Sequence, residues 1–287
     1  MSMLTPIGEM NTIAEMTRDE LERTCRQHAF SSYIGNHVSL CRILSRLKIF
    51  VDTRDTAVAP YLMLDGIWET CVSQLMAKII QPGFVCIDVG ANLGYFSLLM
   101  SELCHAGLSG IAVAVEPNPP VCQLLRLSEA VHTRRFKVVE KAVTNYTGDA
   151  TLTIPGLSAF AAATIKPNAL APGWQQTKVA TSTLDDLVLE LKLPKVDVIK
   201  IDVEGEEPAV FEGMEKTLEN NPHVQIIAEY SPAIYYEKAQ SFTDYLMDRF
   251  QVDVIGENGA TQRLDEVAVR NLIQIKNHVD LYLIQKM

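Results

Sequence analysis

The feature that most constrains the fold is a regular alternation of short β-rich runs and helix-like segments after Pro82-Gly83. The runs rich in Val and Ile occupy residues 84–89, 111–115, 136–143, 196–203, 224–229, 252–255 and 279–284. Helical patterns fill most of the intervals, at residues 94–105, 119–131, 183–191, 207–220 and 242–250. This alternation builds a mostly parallel sheet with helices on both faces. The sequence therefore predicts a doubly wound α/β fold with a seven-stranded sheet.

Residues 1–80 precede this alternation, and we predict that they form a helical extension to a main domain over residues 81–287. Two apolar stripes at helical spacing support two amphipathic helices: Ile13, Met16, Leu21 and Cys25, then Leu40, Ile43, Leu44 and Leu47. Within the main domain, residues 151–154 are read as a strand. The Ala-, Pro- and Gly-rich stretch near residues 155–176 breaks the βα rhythm and is predicted to be a lid-like insertion.

Composition narrows the class of protein. The 287 residues include 25 basic and 35 acidic side chains, a net charge of −10 that works against binding a phosphate backbone. Six cysteines form no CxxC pair and have no zinc-type spacing with histidine, so we expect reduced thiols. The N-terminus lacks a signal-peptide pattern and no apolar run reaches the roughly 20 residues of a membrane span. We expect a cytoplasmic protein without nucleic-acid partners.

A glycine turn after the first predicted strand marks a ligand site. Residues 88–97 read DVGANLGYFS, a tight turn that opens a helix at the carboxyl end of a strand, where open α/β sheets bind ligands. Glu116 ends the second predicted strand, in place to accept hydrogen bonds from both hydroxyls of a ribose. The pattern predicts a ligand with an adenosine-like half.

Two phosphate-binding motifs, the P-loop and the NAD fingerprint, fit the turn less well. A P-loop is excluded because Tyr95 and Phe96 follow Gly94, which leaves no lysine for the phosphates. The NAD fingerprint G-x-G-x-x-G lacks its middle glycine, because Asn92 stands there. Adenosine without a pyrophosphate is the better fit, and NAD is the rival.

The motifs together resemble the FkbM-type methyltransferases, a branch of the S-adenosylmethionine-dependent class, and this resemblance implies a Rossmann-like class I methyltransferase fold. The pieces in the family's order are DTRD at 52–55, GIWE at 66–69, DVGANLG at 88–94, EPN at 116–118, TLDD at 183–186 and IKIDVEGEE at 199–207. The resemblance covers about residues 50–285. It departs from the family at residues 127–129, LSE, where the family usually has an asparagine.

The resemblance implies that S-adenosylmethionine is the cofactor and assigns residues to its parts. Four of them would surround the methionine portion: Asp88, Gly90, Asn92 and Gly94. Glu116 would hold the ribose, and Asn118 and Ala142 would flank the adenine. Trp68 and Glu69 would close the amino-acid end, although Trp68 is equally read as a helix anchor in the core.

Three acids are predicted to meet beside the methyl group. Asp202 and Glu204 stand two residues apart after the fourth strand, and Glu229 ends the fifth. Asp202 is the first candidate for the base or orienting group of a hydroxyl acceptor, whereas Glu204 is also read as a cap on the turn's amides. A divalent metal held by the three acids is the less favoured alternative, and no metal ligand is assigned.

The resulting prediction is transfer of a methyl group from S-adenosylmethionine to a hydroxyl of a small molecule, a sugar or secondary metabolite. Nitrogen acceptors stay open. Trp174 is predicted to stack on the acceptor, or else to anchor its loop. The alternatives are an NAD-dependent oxidoreductase, disfavoured by Asn92, and a catalytically silent cofactor-binding module, which only an activity measurement distinguishes.

Overall fold

A computed structural model describes residues 4–106, 109–133, 135–156, 163–165 and 173–286. Its α-helices are α1 (Arg18–His28), α2 (Ala59–Leu64), α3 (Thr70–Ile79), α4 (Tyr95–Cys104), α5 (Pro119–Val131), α6 (Leu184–Glu190), α7 (Glu207–Glu212), α8 (Glu215–Asn220), α9 (Pro232–Tyr235), α10 (Lys238–Arg249) and α11 (Glu266–Asn271). Short 3₁₀ helices span Met10–Ala14, Glu257–Gly259 and Leu272–Gln274.

The described strands form three sheets. They are β1 (Phe30–Gly35), β2 (Val38–Ile43), β3 (Leu47–Asp52), β4 (Val85–Val89), β5 (Ile111–Val115), β6 (Lys137–Val139), β7 (Ala142–Val143), β8 (Gly148–Ile154), β9 (Gln175–Ser182), β10 (Val198–Ile201), β11 (Gln225–Tyr230), β12 (Phe250–Ile255), β13 (Thr261–Arg263) and β14 (Val279–Gln285). The largest sheet has eight strands in the order β13-β12-β14-β11-β10-β4-β5-β6, and the others are β1-β2-β3 and β7-β9-β8.

The large sheet confirms the predicted α/β, Rossmann-like class. Strands β11, β10, β4, β5 and β6 are parallel, whereas β14 runs antiparallel between β11 and β12. All seven predicted runs contribute a strand, and β13 is an eighth that we did not predict. The predicted run at 136–143 divides between two sheets, and the predicted helix at 207–220 divides into α7 and α8.

The sheet separates two hydrophobic clusters, as the two-residue period of a strand requires. Along β4, Cys86 belongs to one cluster and Ile87 to the other. The first cluster continues into the N-terminal region, where Ile13, Leu21 and Ile49 are completely buried. Residues before the large sheet therefore share its core.

The prediction of a second N-terminal helix is wrong. The stripe Leu40, Ile43, Leu44 and Leu47 lies on the β2–β3 hairpin instead. Cys41 and Ile43 are buried while Arg42 is exposed, the alternation of a half-buried strand. Leu44 and Ser45 form the turn with positive φ angles of 47° and 60°. Packing of the hairpin against α5, where the Phe50 amide donates to Ser128 Oγ at 3.1 Å, overrides the helical spacing.

Two smaller expectations concern membranes and cysteines. Within the described residues, no helix has both the length and the apolar character needed to cross a bilayer. All six cysteines are free thiols, and five of them are buried, as their positions in apolar runs predicted.

Candidate active site

A cavity of about 290 Å³ opens at the carboxyl ends of β4 and β10. The strand order reverses between these two adjacent parallel strands. From β4 the chain first adds β5 and β6 on one side, and it later adds β10 and β11 on the opposite side. Such a switch point leaves a crevice in open α/β sheets. The cavity is therefore where the fold itself provides space for a ligand.

The glycine turn forms one wall of the cavity. Gly90 has φ +81°, and a Cβ there would lie 1.7 Å from the Asp202 carbonyl oxygen, so only glycine lets the β4 turn pass the β10 turn this closely. Asn92, with φ +47°, lines the cavity beside it. The turn then enters α4. The wall next to any ligand is thus largely backbone.

Glu116 lies at the end of β5 and lines the same cavity. Its Oε2 accepts from the Asn92 amide and its Oε1 from the Asn118 amide, each at 2.9 Å. Burial raises the pKa of this carboxyl to about 7, although the two amide donors oppose the shift. The two hydrogen bonds fix the carboxylate against the glycine turn, and its contact with a ribose stays a prediction.

Trp68 and Glu69 close another side of the cavity, just before α3. The Trp68 ring meets Tyr61 edge-on, with ring centroids 5.2 Å apart. Glu69 Oε2 is buried and accepts no hydrogen bond from the described residues. Burial raises the pKa of Glu69 to about 8, with Lys200 opposing the shift. Ala142, in β7, also lines the cavity.

Three of the predicted cofactor residues lie behind the cavity wall rather than on it. Asp88 is 1% exposed and its Oδ2 accepts from Ser97 Oγ at 2.5 Å. Gly94 is the N-cap residue that precedes α4, and a Cβ there would lie 2.4 Å from a Leu125 methyl group. Asn118 is fully buried just before α5. Their contact with a cofactor stays a prediction.

A buried lysine holds the first of the predicted catalytic acids. Lys200 Nζ is 2.9 Å from Asp202 Oδ2 and lies over the Phe96 ring. Burial alone would raise the pKa of Asp202, but the charge and hydrogen bond of Lys200, together with smaller contributions from Glu229 and His278, outweigh burial and the pKa is lowered. Asp202 therefore lines the cavity as a carboxylate.

Glu229 stands beside Asp202 on the next strand, β11. Its Oε1 accepts from Ser231 Oγ at 3.0 Å and lies 3.1 Å from His278 Nδ1. Burial and the Asp202 charge raise the pKa of Glu229 to about 10. Asp280 pairs with Glu229 across β11 and β14, and both line the cavity with His278. The sequence analysis missed His278 and Asp280, which only the antiparallel return of β14 brings here.

Two of the acids that follow Asp202 after β10, Glu204 and Glu207, have different roles. Glu204 lines the cavity with φ +54°, and burial raises its pKa to about 8. The predicted alternative, that Glu204 caps the turn amides, is wrong, because no hydrogen bond among the described residues joins its side chain to those amides. Glu207 does so instead, because its Oε1 accepts from the Val203 amide at 2.8 Å and the Gly205 amide at 3.4 Å. The sequence alone does not show which acid caps the turn, because several acids lie close together in residues 202–207.

The predicted lid falls largely outside the described residues. Of the stretch near 155–176, Ala163, Thr164 and Ile165 line the cavity, and Thr164 pairs with Thr153 of β8. Trp174 is half-buried immediately before β9 and is not among the described residues that line the cavity. Its contact with an acceptor stays a prediction.

Comparison with known proteins identifies the family. The profile of the methyltransferase FkbM domain matches residues 88–253, so the chain belongs to the FkbM methyltransferase family, as the motifs predicted. A curated relative, the 31-O-demethyl-FK506 methyltransferase FkbM of Streptomyces tacrolimicus, is 29% identical over 178 residues. The alignment covers 52% of this chain and 66% of that relative, so the chain spans just under two thirds of its length.

Solved structures of methyltransferases show a more distant similarity. The methyltransferase FkbM from Methylobacillus flagellatus KT gives a TM-score of 0.45 at 12% identity, covering 76% of this chain and 55% of that one. The O-methyltransferase from Bacillus cereus in complex with SAH gives a TM-score of 0.43 at 12% identity, covering 79% and 86%.

Proposed function

We propose that this chain transfers a methyl group from S-adenosylmethionine to a hydroxyl of a small molecule, a sugar or a secondary metabolite. One observation is central to this proposal: a single cavity joins the glycine turn and Glu116 to a cluster of carboxylates at the switch point. Membership of the FkbM family supports it, and the curated relative is named as a methyltransferase of an O-demethyl compound.

The residues of the cavity fit this cofactor. The buried Glu69 Oε2, which has no hydrogen-bond partner among the described residues, offers an acceptor to an ammonium group, whose charge would favour the ionised form of Glu69. Glu116 offers carboxylate oxygens to ribose hydroxyls. Gly90 has no side chain, so the backbone of its turn can lie close to a cofactor in the cavity. When bound, S-adenosylmethionine supplies an activated methyl group on a positively charged sulfur.

The chain's own task is to align the acceptor and exclude water. Asp202, Glu204 and Glu229 face the same cavity, and hydrogen bonds from acceptor hydroxyls to these carboxyl groups would fix the orientation of the acceptor. A hydroxyl must lose its proton as its oxygen is methylated, and Asp202, kept ionised by Lys200, is the group that we place against that proton.

Mass spectrometry with isotopically labelled S-adenosylmethionine tests this function. Extracts and sets of hydroxylated compounds would be incubated with the protein and searched for products that gain the label. The matched control is Asp202→Asn, which keeps the shape of the site but removes its charge. Labelled O-methyl products that require wild-type protein support the proposal. Label found only on nitrogen, or equal labelling by both proteins, would contradict it.

A further inference from the structure

Two acids that line the acceptor side of the cavity, Asp202 and Glu229, also form a group with Glu207, which lies behind the cavity wall. Asp202, Glu207 and Glu229 each offer one oxygen, and these three atoms lie within 4.8 Å of one another. Oxygens bound to one Mg²⁺ or Mn²⁺ lie about this far apart or closer, since the metal–oxygen distance is roughly 2.0–2.2 Å. The three residues come from the β10 turn, the start of α7 and β11.

Glu207 gives an independent indication of a ligand. Its side chain is completely buried and its Oε2 has no hydrogen-bond partner among the described residues. An orphaned carboxylate oxygen in the interior is costly unless a cation or donor meets it. Glu207 is absent from the cavity wall, so a molecule in the cavity does not account for this oxygen.

The protein itself fixes one oxygen of each acid. Lys200 bonds Asp202 Oδ2, and the Val203 and Gly205 amides bond Glu207 Oε1. Ser231 and His278 contact Glu229 Oε1. Donors of this kind orient metal-binding carboxylates. The Asp202 and Glu229 side chains also hydrogen-bond to each other, a contact that an ion bound between them would replace. A divalent ion bound among them would stabilise all three acids in the ionised form.

We infer that Asp202, Glu207 and Glu229 form a binding site for a hard divalent cation, Mg²⁺ or Mn²⁺, at the acceptor end of the cavity. Glu207 replaces Glu204 in the set of ligands that the sequence suggested. Binding of the cation does not depend on the identity of the acceptor. Bound there, the ion would act as a Lewis acid that lowers the pKa of an acceptor hydroxyl, with Asp202 as its ligand instead of as the base, and this role rests on the proposed function.

Titration of the full-length, chelator-treated protein with Mn²⁺ tests the site without cofactor or acceptor, by calorimetry and by the electron paramagnetic resonance of free Mn²⁺. We expect one site per chain. Glu207→Gln should weaken it by about 10-fold or more. The neighbouring Glu204→Gln is the matched control and should bind Mn²⁺ as the wild type does. Glutamine at 207 retains an acceptor for the Val203 and Gly205 amides, so the fold should persist.

Glu229→Gln provides a second test that does not alter the turn, and it should also weaken binding. A wild-type protein that binds no Mn²⁺ at millimolar concentration would overturn the inference, as would a loss in Glu204→Gln without one in Glu207→Gln. Titration with S-adenosylmethionine in the presence of chelator separates this result from the proposed function, because the cofactor end contains no residue of the cation site.

Discussion

The two ends of the cavity are assembled in different ways. The cofactor end comes largely from one stretch, residues 88–118, in which Glu116 is bonded directly to the Asn92 amide of the glycine turn. The acid end combines the β10 turn, β11 and the start of β14. The first is specified by local sequence and backbone geometry, whereas the second exists only once distant strands are paired. Mutations should therefore separate binding from catalysis.

The largest expected effect is at the acid end. Asp202→Asn keeps the size of the side chain but removes its charge, so kcat should fall by roughly 10² to 10⁴-fold. Cofactor affinity should change by only a few-fold, because Asp202 lies outside the 88–118 stretch. The measurement is steady-state kinetics with the acceptor found by isotope labelling. Turnover near that of the wild type would show that the acid end is not the catalytic end.

Gly90→Ala tests the place where the two ends touch. The new Cβ would clash with the Asp202 carbonyl oxygen, in addition to the strain of φ +81°. We expect a loss of about 3 kcal/mol in the free energy of unfolding, measured with urea. Gly35→Ala is the control, because it has φ +103° but no atom within 4 Å, and it should cost about 1 kcal/mol. Equal losses would mean that the ends are not in tight contact.

Glu116→Ala should weaken the cofactor end alone. Loss of charged hydrogen bonds to the ribose should cost about 1.5 to 3 kcal/mol of binding free energy, measured by calorimetry with S-adenosylmethionine. The melting temperature should also fall, since the Asn92 and Asn118 amides lose their acceptor. Glu204→Gln, at the acid end, should bind the cofactor as the wild type does. Similar losses in both variants would remove the distinction between the ends.

The pH dependence of cofactor binding is the smallest expected effect. Because burial raises the pKa of Glu116 to about 7, the free protein holds a proton there at lower pH. Ribose hydroxyls bond better to the ionised form, so affinity should rise between about pH 6 and pH 8, by at most roughly 10-fold per unit. Glu116→Gln should flatten this rise. A rise that persists in Glu116→Gln but disappears in Glu69→Gln would assign it to Glu69 instead.

The same contrast explains what the sequence predicted. The glycine turn and Glu116 were readable because their geometry follows from residues close in the chain. Glu207 and His278 were not, because their places depend on the α7 turn and on the antiparallel pairing of β14 with β11. The Leu40–Leu47 stripe also fits a helix locally. Gly35 and Asn36, at the tight turn between β1 and β2 with φ angles of 103° and 50°, were the overlooked hairpin signal.

Calorimetric titration of the wild-type protein with S-adenosylmethionine, S-adenosylhomocysteine and NAD tests the central claim most directly. The account predicts that both S-adenosyl compounds bind with one site per chain and that NAD does not, because the Gly90–Gly94 turn admits an adenosine with an amino acid but crowds a pyrophosphate. Binding of NAD without binding of either S-adenosyl compound would contradict it.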